Sequence, residues 1–327
     1  MGRNAVQGKR NWNVDNRAEG AFEEALDEFF TREEVLAALS AANDSKIGAP
    51  FRVPDIVIRW GMNQVAGRNL GYRTVANRIS RRMRALGLNG ISYSQFHKRA
   101  GRITVLMGTT DVTDARVMAF GAGAPPRPDP ITVAVDSTGL SPDRPSGWMV
   151  EKWDHKKARG WYKLHVAVDV EAGTILSYVV TEPYYSDSLA FDRLVDIVLD
   201  AGHDVACILA DAAYDKKDNW RRMQENGIEF IANINGTFDP NKRGFGSGRF
   251  RGCAVRGKHI LRILEVGREK WKEEVGYSRR WRVEGTFSDL KRMFGDTLRA
   301  RARERVAELM GLIVCCHNRF KSIRWSL

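Results

Sequence analysis

Two aspartates stand at the ends of apolar runs. Asp136 closes ITVAVD (131–136) and precedes Ser137, Thr138 and Gly139, while Asp211 closes CILAD (207–211) and precedes Ala212 and Ala213. An acid at the C-terminal end of a strand, beside small residues, sits on a sheet rim with room for a ligand. If the two strands are neighbours, the carboxylates converge. Converging like charges need a proton or a cation between them, and hard oxygen ligands select Mg2+ or Mn2+. Either aspartate alone is an ordinary strand-end cap, so the metal reading requires a third ligand, for which Glu284 is the candidate.

Glu284 lies in YSRRWRVEGTFSDLKRMFG (277–295), which reads as a helix. Tyr277, Arg280, Glu284 and Lys291 are separated by steps of 3, 4 and 7, which return all four to one side within a fan of roughly 60°. That face presents a phenol, a guanidinium, a carboxylate and an ammonium. Without other context such a face is solvated and laced with intrahelical ion pairs.

The context is a joint pattern. The acids in VDSTGL and ADAAYD, the spacing Y-x2-R-x3-E-x6-K, the stretch WYKLHVAVDVEAGTILSYVVT and the following SDSLAF resemble the DDE transposases of prokaryotic insertion sequences, nearest their insertion-sequence-five branch. The resemblance covers about residues 131–320. It implies a ribonuclease-H-like catalytic domain in which Asp136, Asp211 and Glu284 hold two divalent ions, Mg2+ or Mn2+, for DNA strand cleavage and strand transfer. It also implies that Arg280 and Lys291 hold phosphates of the transposon end, with Tyr277 bonding a phosphate or stacking. The implied partners are double-stranded DNA, as terminal inverted repeats and as target, and a second copy of the chain when two ends are paired. The competing readings are a non-catalytic DNA-binding protein, such as a repressor or inactive remnant, and a metal-dependent nuclease that cuts without strand transfer.

Elements that position these residues follow from patterning. Strands are expected at 131–136, 161–170 and 174–180, the last two as a hairpin around EAG, and at 207–211 and IEFIANI. Helices are expected from SDSLAF onward and over DKKDNWRRMQENG. That order describes an α/β fold, a mixed sheet covered by helices. The Gly/Pro segment GAGAPPRPDP (121–130) reads as the linker from an all-helical N-terminal region, 1–120, to a catalytic domain over 131–327. A Gly- and Arg-rich insertion is expected at about 235–276, with KHILRILEV as a strand; its Lys242, Arg243, Arg249, Arg251, Arg256 and Lys258 offer a second DNA contact or an ordinary solvated loop.

The N-terminal region has its own signal. No acidic residue lies between Asp55 and Asp111, whereas Arg59, Arg68, Arg73, Arg78, Arg81, Arg82, Arg84, Lys98, Arg99 and Arg102 do. Two short helices joined by a glycine turn, the second opening at Ser92 or Ser94, resemble a helix-turn-helix, with Arg81, Arg82, Arg84, Lys98, Arg99 and Arg102 as DNA contacts. A solvated basic face on a helical bundle is the alternative. The 327 residues carry a net charge of +12, which favours a polyanionic partner.

Other features point away from competing classes. The four cysteines form no CxxC pair, so neither a disulfide framework nor a zinc finger is expected. GFGSG lacks a following GK[ST], so ATP is not implied. Cys315, Cys316 and His317 fall in a helically periodic apolar run and are expected to be buried. Lys163 and His165 share a strand face with Asp169 and are expected to be structural. With no apolar leader or span of about 18 residues, the expected setting is cytoplasmic and nucleoid-associated.

Overall fold

Residues 131–135, Ile-Thr-Val-Ala-Val, are all buried, and this β-branched run begins the strand on which the sheet is built. The computed structural model describes residues 12–102, 117–121, 124–142, 161–234, 253–300 and 303–327. The central strand β2 (Ile131–Pro142) pairs antiparallel with β3 (Tyr162–Asp169), and β3 pairs antiparallel with β4 (Ile175–Thr181). Their connection is the expected hairpin, closed by Gly173 at φ +69, a left-handed conformation that glycine adopts without a Cβ clash. On its other side β2 runs parallel to β5 (Val205–Ala210), which runs parallel to β6 (Glu229–Ala232). The edge strand β1 (Val117–Gly121) adds antiparallel to β4, giving the order β1-β4-β3-β2-β5-β6.

Helices cover the sheet. Before it come α1 (Trp12–Asp27), α2 (Arg32–Asn43), α3 (Asp55–Gly67), α4 (Tyr72–Ala85) and α5 (Tyr93–Ala100). Within the α/β part, α6 (Asp187–Asp200) links β4 to β5, and α7 (Lys217–Glu225) links β5 to β6. After β6 come α8 (Ala254–Val266), α9 (Arg268–Glu274), a 3-10 turn (Tyr277–Arg280), α10 (Trp281–Phe294), the short strand β7 (Thr297–Leu298) beside β2, and α11 (Arg303–Trp325). The mixed α/β sheet matches expectation.

Three expectations are corrected. KHILRILEV is helical, part of α8: Ile260 and Ile263 are buried while Leu261 and Leu264 are exposed, the three-residue repeat of a helix rather than the two-residue repeat of a strand. The Gly/Pro segment does not bound an all-helical region, because β1 precedes it and belongs to the sheet. Nor are the N-terminal helices a separate body: α1 and α3 pack on α11, Phe22 meets Phe294 and Phe320 edge-on at 6.2 and 6.1 Å, and Asp15 accepts from Arg324 Nε at 2.6 Å. His317 and Cys316 are buried in α11 as expected, whereas Cys315 is only half-buried.

The two short helices expected here are α4 and α5, joined by a turn in which Gly87 takes φ +73. Ser92 caps α5 with Gln95 in a capping box, and Ser80 of α4 both accepts from Ile91 N–H and donates to its carbonyl, each at 2.9 Å. A Cβ at Gly90 would lie 2.6 Å from the Ser80 hydroxyl, so this turn requires glycine.

Candidate active site

The register Val135↔Ala210 makes Asp136 and Asp211 the next residues along adjacent parallel strands. Asp136 is half-buried; its Oδ1 accepts the Ser137 N–H at 2.8 Å and its Oδ2 accepts Arg280 Nη1 at 2.8 Å. Burial pushes the Asp136 carboxyl above its usual range and Asp211 adds to this, while the Ser137 amide and Arg280 oppose it. Asp211 caps the 3-10 turn Ala212–Tyr214, its Oδ1 accepting the Ala213 N–H at 2.8 Å.

Glu284 stands on the first turn of α10, exposed, with Arg280 Nη2 donating to its Oε1. Arg280 therefore bridges Asp136 and Glu284, a guanidinium between two of the three acids. Lys291 is exposed two turns further along α10. Tyr277 departs from expectation. Residues 277–280 form a 3-10 turn, so the four side chains do not fan from one regular helix. Tyr277 is buried, stacks on Trp271 at 6.3 Å and donates its hydroxyl to the Ala210 carbonyl at 3.0 Å. Burial pushes its phenol up to about 12. It ties the helix start to the strand leading into Asp211.

Among the described residues no three His, Cys, Asp or Glu side chains are gathered closely enough to share a metal ion. The donor set nevertheless fits a hard cation, being carboxylate oxygens only, and the Arg280 guanidinium already stands in as a positive charge between two of them.

One acid at this end of the sheet escaped the sequence reading. Asp187, at the start of α6, accepts from Lys163 Nζ at 3.0 Å and from Ser137 Oγ at 3.1 Å, and faces His165 Nδ1 at 3.5 Å. The only signals in the sequence were its place in SDSLAF and the alternation of Lys163 and His165. Asp169, on the same strand, lies away from this group: it pairs with Arg127 at 3.1 Å and accepts the N–H groups of Glu171 and Ala172.

The basic N-terminal residues separate by their engagement. Arg81, Arg82, Arg84, Lys98 and Arg102 are exposed. Arg82 approaches Asp27, with 3.8 Å between charged groups. Arg99 is engaged internally, donating to the Val53 carbonyl and the Asp55 carboxylate and lying over the Phe51 ring at 4.6 Å. Lys98, Arg99 and Arg102 line a groove of about 520 Å³ with Phe51, Arg52 and Gln95. In the later segment Arg256 is not a surface contact: it is buried and forked onto Asp215 at 2.7 and 2.6 Å. Lys258 is exposed on α8. Lys242, Arg243, Arg249, Arg251 and the GFGSG stretch lie outside the described residues. No helix among the described residues is long and apolar enough to cross a membrane.

Comparison with solved structures gives low overall similarity. A chain of the simian T-cell lymphotropic virus intasome in complex with PP2A regulatory subunit B56 gamma is 13% identical, with 68% of this chain and 67% of that chain covered and a TM-score of 0.24. The large terminase nuclease from thermophilic phage G20c is 12% identical, with 51% and 68% covered and a TM-score of 0.20. Its structure with bound magnesium gives 13%, 51%, 68% and 0.19. The match to a family model is decisive. Residues 127–319, which carry both strand-end aspartates and the Arg280–Glu284 pair, match the transposase DDE domain, and the chain belongs to that family.

Proposed function

We propose that this protein is a DNA transposase that binds the terminal repeats of an insertion sequence and cleaves and transfers DNA strands at Asp136, Asp211 and Glu284. The observation that carries the reading is the pairing of Asp136 and Asp211 at the ends of adjacent parallel strands, with Glu284 joined to Asp136 through Arg280. The resemblance to the insertion-sequence-five branch, the Y-x2-R-x3-E-x6-K spacing and the ribonuclease-H-like sheet order support it.

Asp136, Asp211 and Glu284 would hold two Mg2+ or Mn2+ ions. Bound there, such ions activate a water or a 3′-hydroxyl as nucleophile and stabilise the leaving oxygen. The chain's own residues do the positioning. Ser137 N–H and Ala213 N–H fix one carboxylate oxygen each on Asp136 and Asp211. Arg280 offers a planar two-donor fork to a phosphate, and Lys291 a point charge further along the same helix. Tyr277, held to Ala210, keeps Arg280 and Glu284 in register with the strand ends. The exposed Arg81, Arg84, Lys98 and Arg102 supply phosphate contacts to the repeat, and pairing of two ends requires a second copy of the chain.

Asp136→Ala, Asp211→Ala and Glu284→Ala are each expected to abolish cleavage of DNA carrying the flanking repeats while leaving end binding largely intact. Ca2+ should support binding without turnover, because its looser coordination does not reproduce the geometry Mg2+ demands. Full cleavage by any of the three variants would overturn the assignment.

A further inference from the structure

Behind the acids lies a polar cluster that the mechanism above does not use. Side chains alternate across a strand, and the pairings Ser137↔His165 and Gly139↔Lys163 place Ser137, His165 and Lys163 on the α6 face, opposite Asp136 and Arg280. There Asp187 Oδ1 receives both the Lys163 ammonium and the Ser137 hydroxyl. His165 Nε2 lies 2.9 Å from the Thr181 hydroxyl, and its Nδ1 faces Asp187 Oδ1 at 3.5 Å. Burial pulls the His165 imidazole down to about 4. It is therefore neutral near pH 7, and among the described residues Lys163 supplies the charge facing Asp187. The Tyr214 hydroxyl is buried with no hydrogen-bond partner among the described residues, in the field of Asp187, Asp136 and Asp211.

Packing gives no reason for this arrangement. The buried face of α6 already carries Ala190, Phe191, Leu194 and Val195, and a partly buried ion pair stabilises a fold little more than apolar residues of the same volume. What distinguishes the cluster is its reach. Ser137 is held through its hydroxyl by Asp187, and its amide holds Asp136.

On the reading that Asp136 is a metal-binding catalytic acid, we propose that Asp187 is a positioning residue for it: anchored by Lys163, Asp187 fixes Ser137, whose amide orients the Asp136 carboxylate toward the divalent ion. Groups that orient metal ligands cost about 10–100-fold in metal affinity or activity when removed. The path predicts that Ser137 and Asp187 act in series.

The test uses the full-length protein with Mn2+ as probe, its binding read by electron paramagnetic resonance without DNA, beside strand-cleavage kinetics, end affinity and thermal melting. Ser137→Ala removes one hydroxyl and should weaken Mn2+ binding and lower kcat about tenfold, with KM for the DNA end and melting temperature near wild type. Ser137→Thr, which keeps the hydroxyl, should restore both. Asp187→Ala should match Ser137→Ala, and the double variant should be no worse. If Asp136→Ala loses Mn2+ binding while Ser137→Ala and Asp187→Ala keep it within twofold, this inference alone is overturned. The same holds if Asp187→Ala loses stability, end affinity and turnover together while Ser137→Ala is silent, since the pair is then merely structural. If Asp136→Ala itself binds Mn2+ like wild type, the active-site reading falls and this inference with it.

Discussion

Arg280 faces two demands that cannot be met at once. Its guanidinium neutralises Asp136 and Glu284, the same oxygens a divalent cation would take, whereas the proposed function also asks it to fork onto a DNA phosphate. Arg280→Ala should therefore bind Mn2+ more tightly than wild type without DNA, since a competing cation is gone, while losing affinity for the transposon end. Arg280→Lys should also be damaging, because the point charge survives and the fork does not. Lys291→Ala should lower the salt slope of end binding by about one, because one phosphate is no longer neutralised. End affinity across a salt series checks these, and unchanged slopes in both alanine variants would mark the helix face as merely solvated. Spacing marked Asp136, Asp211, Glu284 and Arg280 as candidates, because acids at strand ends and a charged helical repeat are local patterns, but only the family resemblance set them above ordinary caps and solvated charges. Asp187 was not legible: its neighbours Lys163 and Ser137 are 24 and 50 residues away in sequence, and only the packing of α6 on the sheet unites them.

At the scale of elements, one rotation angle per residue does not describe residues 277–294, because the chain uses two there. A 3-10 turn advances about 120° per residue rather than 100°, so Tyr277 turns inward to Ala210 while Arg280, at the junction, still reaches the acids. In α8 the apolar positions 260, 261, 263 and 264 already carried a helical repeat, obscured by β-branched content. The hairpin and the alternation of strands and helices after β4 were readable because turn residues and periodicity agreed. For α4 and α5 the sequence offered six basic contacts, and the fold leaves Arg81, Arg84, Lys98 and Arg102 exposed with no ion pair among the described residues, while the exposed Arg82 stands 3.8 Å from Asp27 and Arg99 holds Asp55 and Val53. Neutralising those four together should weaken end binding and cut the salt slope by up to about four, whereas Arg99→Ala should chiefly lower the melting temperature. Salt-dependent binding and a thermal melt distinguish the two effects.

Across the whole molecule, one continuous core joins the N-terminal helices, the sheet and α11. Removing residues 1–120 would strip β1 from the sheet edge and bare the apolar side of α11, so that fragment should aggregate or melt without cooperativity, as size-exclusion chromatography and calorimetry would show. Acid sensitivity is also built into this core. His165 and His317 are buried, and burial pulls their imidazoles down to about 4 and about 3, below the unfolded value near 6.5. The unfolded chain then binds protons first as pH falls. Stability is intact above about 6.5 and declines from there toward 4, by up to about 3 kcal/mol for His165. Melting temperature against pH should show this fall, and it should be shallower in His317→Gln.

The seating of α1 on α11 also sets a schedule for synthesis. Phe22 and Phe320 leave the ribosome on the order of 15–60 s apart at about 5–20 residues per second. Until α11 has emerged, the amino-terminal helices lack the partner that completes their core. A product terminated before α11 therefore keeps its basic helices but not the support that holds them.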